Sequence, residues 1–423
     1  MMAARGGPSP LAEREEGARA TWAVPALLRW LAGAAPLDPP LSRSHPLRAL
    51  AERCERLRVL PQAINRLSSD PEAVGAMPPA DVTELALRRV KATAESGRTL
   101  HFGCQALGAL RDAGIAAAGF KGIAAVGHLH GGRPERGIGD VDVLVSPARA
   151  GRALEVLQSA GFRPKASSLT ASESIAFARA SPGSAGNESI SLVTVDGIEV
   201  DLHWRLGVCD VEGALSDASC VRVLGHSVPL VRPGLGLLLS AHHALRNDFV
   251  PDEVIRDLLD VRGWLGMLSQ DRKEATWAEG EMRRIGLDVA RDACAAILAD
   301  LGVLTGHDAH AEGSRARALA DLFHDQAVRP MNTDLVYLCS MRPGLMVLCG
   351  LLRGGRGYLR AMRAIEQAHG DAQLPIRARL GRLAADACRS PWRRWAQLRA
   401  LAAAKGRVAG SRGAPRCADT GDA

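Results

Sequence analysis

Gly139-Asp140-Val141-Asp142-Val143-Leu144-Val145 is the stretch whose reading decides the fold. Residues two apart on a β-strand share a face. Asp140 and Asp142 therefore project together, while Val141, Val143 and Val145 project the other way into a core. A loop rich in Gly and Arg, Gly131 to Gly139, precedes the strand, and Ser146-Pro147 follows it. Ser as N-cap with Pro at the first helical position predicts a helix start, and that helix runs to Ala160 and stops at Gly161. Upstream, Ile115 to Phe120 reads as a strand, Lys121-Gly122 as a turn, and Ile123 to His130 as a short helix. Downstream, residues 166 to 188 are dominated by Ser, Ala and Gly and read as a long loop. Ile190 to Val195, Asp196-Gly197 and Ile198 to Trp204 then carry a hairpin signature, with Asp-Gly as a two-residue turn. On its second strand Glu199, Asp201 and His203 share one face; Ile198, Val200, Leu202 and Trp204 share the other.

If these two strands are neighbours, three carboxylates converge on one patch. Two like charges about 4 Å apart repel by roughly 1 kcal/mol in water and about 4 kcal/mol at an effective dielectric of 20. Stability alone does not select such a patch, but a divalent cation reverses the sign. Mg²⁺ takes one or two carboxylates together with water and phosphate oxygens, and two such ions clamp the attacking and leaving oxygens of a phosphoryl-type displacement. The third carboxylate is suited to a metal or to the nucleophile's proton. The competing reading is an acidic strand edge facing water.

Four pieces in order now resemble a known bacterial family, the "uncharacterised nucleotidyltransferase" group of the polymerase-beta-like nucleotidyltransferase superfamily. They are Ile115 to Gly122 ending in Phe-Lys-Gly, Arg136-x-x-Gly139-Asp140-x-Asp142-x-Leu144-Val145, Ala160-Gly161-Phe162, and Val200-Asp201-Leu202-His203-Trp204. The later Leu238-Leu239-Ser240-Ala241-His242-His243 stretch is similar too. The likeness spans about residues 22 to 265 and is specific from 115 to 205. It implies an α+β fold, a small mixed β-sheet of nucleotidyltransferase type flanked by N- and C-terminal helical regions. It also implies Mg²⁺-dependent transfer of a nucleoside monophosphate from a nucleoside triphosphate such as ATP to a small-molecule or protein acceptor. Asp140, Asp142 and Asp201 would be the catalytic and metal-binding residues; Lys121, Gly122, Arg136, Gly139 and His203 would be the nucleotide contacts. Where the wider superfamily has Gly-Ser or Gly-Gly, this chain has Lys121-Gly122. That departure keeps an alternative open, a catalytically degenerate protein of the same fold that binds a nucleotide or a partner.

The flanks are helical in pattern. Leu50, Cys54, Leu57 and Leu60 recur at helical steps, and Asp81 caps a further helix begun by Val82, Leu85 and Leu87. The expected organisation is a disordered 1–20, a helical region over 21–113, the α/β core over 114–232, a second helical region over 233–405 and a disordered basic tail over 406–423. The net charge of +7 is local: residues 377–412 hold ten basic residues and one acid, Asp386. Such a segment suits weak contact with nucleic acid or an acidic surface, though a solvated helical end is the plainer reading.

Nine scattered cysteines without a CxxC pair exclude a zinc-ribbon or disulfide scaffold and predict buried free thiols in a reducing compartment. The N-terminus lacks a signal-peptide pattern. The longest apolar stretch, Leu335 to Leu352, is broken by Arg342 and Pro343. No membrane span and a cytoplasmic protein are expected.

Secondary candidates have bland readings beside them. Arg133 and Arg136 suit phosphate oxygens, but Arg is common throughout the chain. His242, His243, Asp257 and Asp260 lie on a helical stretch that closes over the nucleotide in related folds; by default they are ordinary helix polar residues. His307-Asp308 resembles a phosphohydrolase dipeptide without partner histidines. No Walker, Rossmann or Gly-x-Ser-x-Gly motif is present.

Overall fold

The computed structural model describes residues 22–324 except 39, 42–46, 166–188, 207, 248, 305–315, 318 and 322. The expectations for residues 1–20, the 166–188 loop, His307-Asp308, Leu335 to Leu352, the basic segment 377–412, the tail 406–423 and the C-terminal helical pattern beyond 324 lie outside the described residues.

Helices α1 (Val24–Leu31), α2 (Leu47–Arg56), α3 (Leu60–Ser68), α4 (Pro71–Ala76) and α5 (Pro79–Asp112) lead into the sheet. The sheet region then runs β1 (Ala117–Phe120), α6 (Gly122–Leu129), β2 (Asp140–Val145), α7 (Ala150–Ser159), β3 (Arg163–Pro164), β4 (Ser189–Val193), β5 (Glu199–His203), α8 (Val211–Ser216), β6 (Ser219–Val223) and β7 (His226–Leu230). Helices α9 (Pro233–Arg246), α10 (Pro251–Leu268), α11 (Arg272–Ile285) and α12 (Asp288–Asp300) follow. The seven strands form one mixed sheet in the order β3-β4-β5-β2-β1-β7-β6, which puts β2 at its centre. β2 is antiparallel to β1 and parallel to β5. The α+β class and the flanking helices implied by the resemblance are what the structure shows.

Both faces of β2 are covered, so alternation decides which side chain meets which layer. Val141, Val143 and Val145 join Val200 and Leu202 in a core against α5 and α7. Leu144 faces the other way, into a larger core shared with Phe120 and the flanking helices. Asp140 and Asp142 are in phase with Leu144 and so look toward the helical regions. Gly103 of α5 makes the close approach on the first side possible: a Cβ there would sit 2.8 Å from both Val141 methyls.

Local details depart from the sequence reading. The turn of the β4–β5 hairpin has three residues, Val195 to Gly197: Thr194 N–H bonds to the Ile198 carbonyl, and Gly197 takes φ +77. Asp-Gly forms the end of this loop, with Gly in the left-handed position that a three-residue hairpin demands. Ser146 does not cap a helix with its side chain. Its hydroxyl donates to Glu212, and the helix begins only at Ala150. Asp81 lies inside the first turn of α5, which starts at Pro79 behind Pro78. Among the described cysteines Cys54, Cys104 and Cys294 are buried free thiols as expected, but Cys220 is exposed. No helix of the described residues is long and apolar enough to cross a membrane.

Candidate active site

The parallel pairing of β2 with β5 sets the site. It places Asp142 beside Asp201, Asp140 beside Glu199 and Leu144 beside His203. Ligand atoms of Asp142, Asp201 and His203 lie within 4.8 Å of one another. Asp140 stands outside that group but close enough to feel it. Burial first, then the charges of Asp142 and Asp201, push its carboxyl above the usual carboxylate range; Lys121 and Arg256 pull it back.

Asp142 goes the other way. Burial is the largest single influence and raises it, yet His203 and Lys121 together hold it below the usual range. Lys121 Nζ donates to Asp142 Oδ1 at 2.6 Å, and His203 Nε2 stands 3.0 Å from the same oxygen. The His203 ring is set edge-on against Phe120, with centroids 4.9 Å apart. Asp201 is served differently: its Oδ1 is buried without a hydrogen-bond partner among the described residues.

Lys121 has an unusual backbone. It precedes the first residue of α6 with φ 51 and ψ −117, a conformation that glycine adopts freely and a side-chain-bearing residue adopts at a cost of about 1–3 kcal/mol. That turn delivers the N-terminus of α6 and the lysine together to the end of β2. At Gly122, next along, a Cβ would stand 3.1 Å from Arg136 Nη1, so a side chain there fits only if that guanidinium shifts slightly.

A cleft of about 510 Å³ opens over Asp140 and Asp142. Its floor is the end of β2 with Lys121, Gly122 and Gly139, and its walls come from α9, α10 and the C-terminal end of α2. Asp201 and His203 lie one strand further and do not line it. Of the secondary candidates, His243, Asp257 and Asp260 face the cleft, and Arg133 does not. His243 Nδ1 is 2.8 Å from Asp257 Oδ2.

Arg136, expected to contact phosphate, is buried on the cleft wall. Its Nε and Nη2 donate to the two oxygens of Asp260 at 2.9 and 2.6 Å, and Nη1 donates to the Gly137 carbonyl. This bidentate pair clamps the loop before β2 onto α10. Arg53 of α2 grips Asp252 of α10 in the same way, at 2.7 and 2.9 Å. Sequence reasoning missed Arg53, Arg58, Ser240, Asn247 and Arg256, which also line the cleft. Their contributions come from segments far apart in the chain, and no local spacing marks them.

One comparison with known proteins, the family match, agrees with the resemblance. The family described as "Uncharacterised nucleotidyltransferase" is matched over residues 45–298. Among solved structures the chain is similar to the antibiotic-resistance factor ANT(2'')-Ia, solved in solution. The identity is 15%, the match covers 45% of this chain and 93% of that one, and the TM-score is 0.31. No curated protein matches the chain.

Proposed function

Because the chain belongs to the uncharacterised nucleotidyltransferase family, we propose that it is a Mg²⁺-dependent enzyme that moves a nucleoside monophosphate from a nucleoside triphosphate to a hydroxyl, amine or phosphate of a small-molecule or protein acceptor. The observation that carries this reading is the in-register placement of Asp142 beside Asp201, with Asp140 on the same face at the cleft floor. Charge of one sign is gathered there at a cost that the protein's own partners do not remove: Asp140 is raised and Asp201 Oδ1 is orphaned.

The residues fit a divalent cation. Three carboxylates supply hard oxygen donors of the kind Mg²⁺ prefers, and Asp201 offers a buried oxygen with no hydrogen-bond partner among the described residues. His203 is a softer nitrogen donor; its place 3.0 Å from Asp142 suits holding that carboxylate in position. When bound, the cation neutralises the phosphate oxygens and orients the triphosphate.

The chain's own residues do the rest. Asp140 and Asp142 hold the floor of the site. Lys121, at the N-terminus of α6, is placed to attract phosphate once its bond to Asp142 is exchanged. Asp201, one strand from the cleft floor, takes the acceptor's proton by way of one water as the acceptor's oxygen or nitrogen bonds to the α-phosphorus. The bond from that phosphorus to the bridging oxygen breaks, and pyrophosphate leaves with its electron pair. Gly122 and Gly139 line the cleft without side chains and let substrate approach the backbone.

The Lys121–Asp142 bond also favours the second reading, a protein that binds nucleotide without turnover, since the ammonium already supplies Asp142 with a positive partner. Titration calorimetry with ATP, CTP, GTP and UTP, with and without Mg²⁺, on wild type and Asp142→Asn, tests the proposal. Binding that needs Mg²⁺ and vanishes in the variant is the expected result. Binding indifferent to Mg²⁺ and to the substitution selects the second reading, and no binding of any nucleotide overturns both.

A further inference from the structure

The helical walls of the cleft carry their own charge pattern, separate from the carboxylates of the floor. Their three aspartates are matched: Asp252 by Arg53, Asp260 by Arg136, Asp257 by His243. Among the described residues two of the arginines that line the cleft have no such match. Arg256 of α10 has an Nε that is buried without a hydrogen-bond partner among the described residues. Glu253, one turn earlier on the same helix and exposed, makes no ion pair with it among the described residues. Arg58, in the short link between α2 and α3, likewise has no hydrogen-bonded or ion-paired side chain among the described residues.

Both lie in the wall of the same cleft as Asp140. Burial first, and then the neighbouring charge of Arg136, weaken the hold of Arg256 on its proton; Asp257 and Asp260 pull the other way, and Arg58 adds a smaller push in the first direction. Guanidinium groups crowded in this way lower their energy when an anion with several oxygens comes between them.

The backbone places Arg58 at the end of α2, where its own N–H bonds to the Glu55 carbonyl and that of Val59 to the Cys54 carbonyl. It takes φ 56 there, the left-handed conformation in which many helices end. The loop before β2 packs against this turn: a Cβ on Gly137 would stand 2.7 Å from the Arg58 carbonyl oxygen, and one on Gly139 3.8 Å from its Nη1. The exposed Arg58 side chain thus stands beside the loop that leads into the Asp140 strand.

We infer that Arg256 and Arg58 seat the polyphosphate tail of the nucleotide, placing its β- and γ-phosphates on the helical wall across from Asp140 and Asp142. This deepens the proposed function and rests on reading the cleft as the nucleotide site. Arg53 and Arg136, whose guanidinium groups grip carboxylates, serve the walls themselves, and the flanking helical regions become part of the nucleotide site.

The test is calorimetry with inorganic tripolyphosphate in the presence of a chelator, so that the carboxylate floor plays no part. Wild type, Arg256→Gln, Arg256→Lys, Arg58→Gln and Asp142→Asn are compared, with inorganic phosphate as a second probe and thermal melts as the check on folding. Wild type binds tripolyphosphate; Arg256→Gln weakens it at least tenfold and Arg58→Gln several-fold, while Asp142→Asn leaves it unchanged or tighter. Arg256→Lys, which keeps the charge and loses the fork, falls between.

Tripolyphosphate that binds equally well to Arg256→Gln, or no better than single phosphate to wild type, overturns the inference. In that event Mg²⁺-nucleotide binding lost in Asp142→Asn would still uphold the proposed function. Conversely, tripolyphosphate held through Arg256 with no Mg²⁺-dependent nucleotide binding upholds the polyphosphate seat and removes the enzyme.

Discussion

Two sets of buried charge stand on opposite sides of one cleft and are treated in opposite ways. On the helical side Arg136 and Asp260 are almost fully enclosed and bound to each other through two parallel hydrogen bonds. On the sheet side Asp140 is held above its usual range and Asp201 keeps an oxygen with no hydrogen-bond partner among the described residues. A buried charge is tolerated when it is paired with good geometry. The first set meets that condition inside the chain and works as architecture, joining the β2 loop to α10. The second does not, and the mismatch points to a ligand from outside.

The largest effect that this contrast predicts is on the matched side. Asp260→Ala leaves Arg136 charged and buried, which costs about 3–5 kcal/mol; urea denaturation reads it as a lower midpoint. A variant as stable as wild type would break the distinction. On the unmatched side Asp201→Asn is expected to lower nucleotidyl transfer about a hundredfold or more, the ordinary scale of a lost general base, with little change in the unfolding midpoint. An equal loss of stability and activity would make Asp201 a structural residue.

A smaller effect comes from Gly122→Ala. Its Cβ would meet Arg136 Nη1 at 3.1 Å, and shifting that guanidinium strains the clamp by about 1 kcal/mol, within the usual range for overpacking. A thermal melt detects this as a drop of roughly 1–2 °C for a chain of this size.

The smallest effect has the opposite sign. A raised carboxylate pKa means that the folded state binds the proton more tightly than the unfolded one, so ionised Asp140 destabilises the fold. The penalty is full above its raised pKa and disappears as pH falls below the unfolded value of about 3.9. Metal-free Asp140→Asn is therefore expected to melt slightly higher than wild type at pH 7, with the gap closing toward pH 4. A gap that widens on acidification would contradict the cause assigned to the shift.

The carboxylate face was legible because strand alternation is a short-range rule: Asp140, Asp142, Glu199, Asp201 and His203 sort by parity alone once two strands are recognised. The order of those strands was not, since it depends on contacts between distant segments. The β6–β7 hairpin escaped notice for a local reason. Its two-residue turn is Leu224-Gly225, with both residues at positive φ, and leucine is a poor signal for a turn that favours Asn or Asp there. The clamps were invisible for a third reason. Arg53 finds Asp252 across 199 residues and Arg136 finds Asp260 across 124, so Arg136 read from its Gly-rich loop suggested phosphate when its guanidinium is committed to a carboxylate.

On the proposed reading the unmatched carboxylates await a divalent cation with its nucleotide. Electron paramagnetic resonance of Mn²⁺, titrated into wild type and Asp140→Asn with and without ATP, tests it most directly. The account predicts Mn²⁺ binding by wild type that ATP tightens. It predicts affinity weaker by at least about tenfold in Asp140→Asn, a loss that outer partners of metal ligands alone can produce, in a variant that melts no lower than wild type. Mn²⁺ affinity equal in the two proteins, or unaffected by ATP, would contradict it.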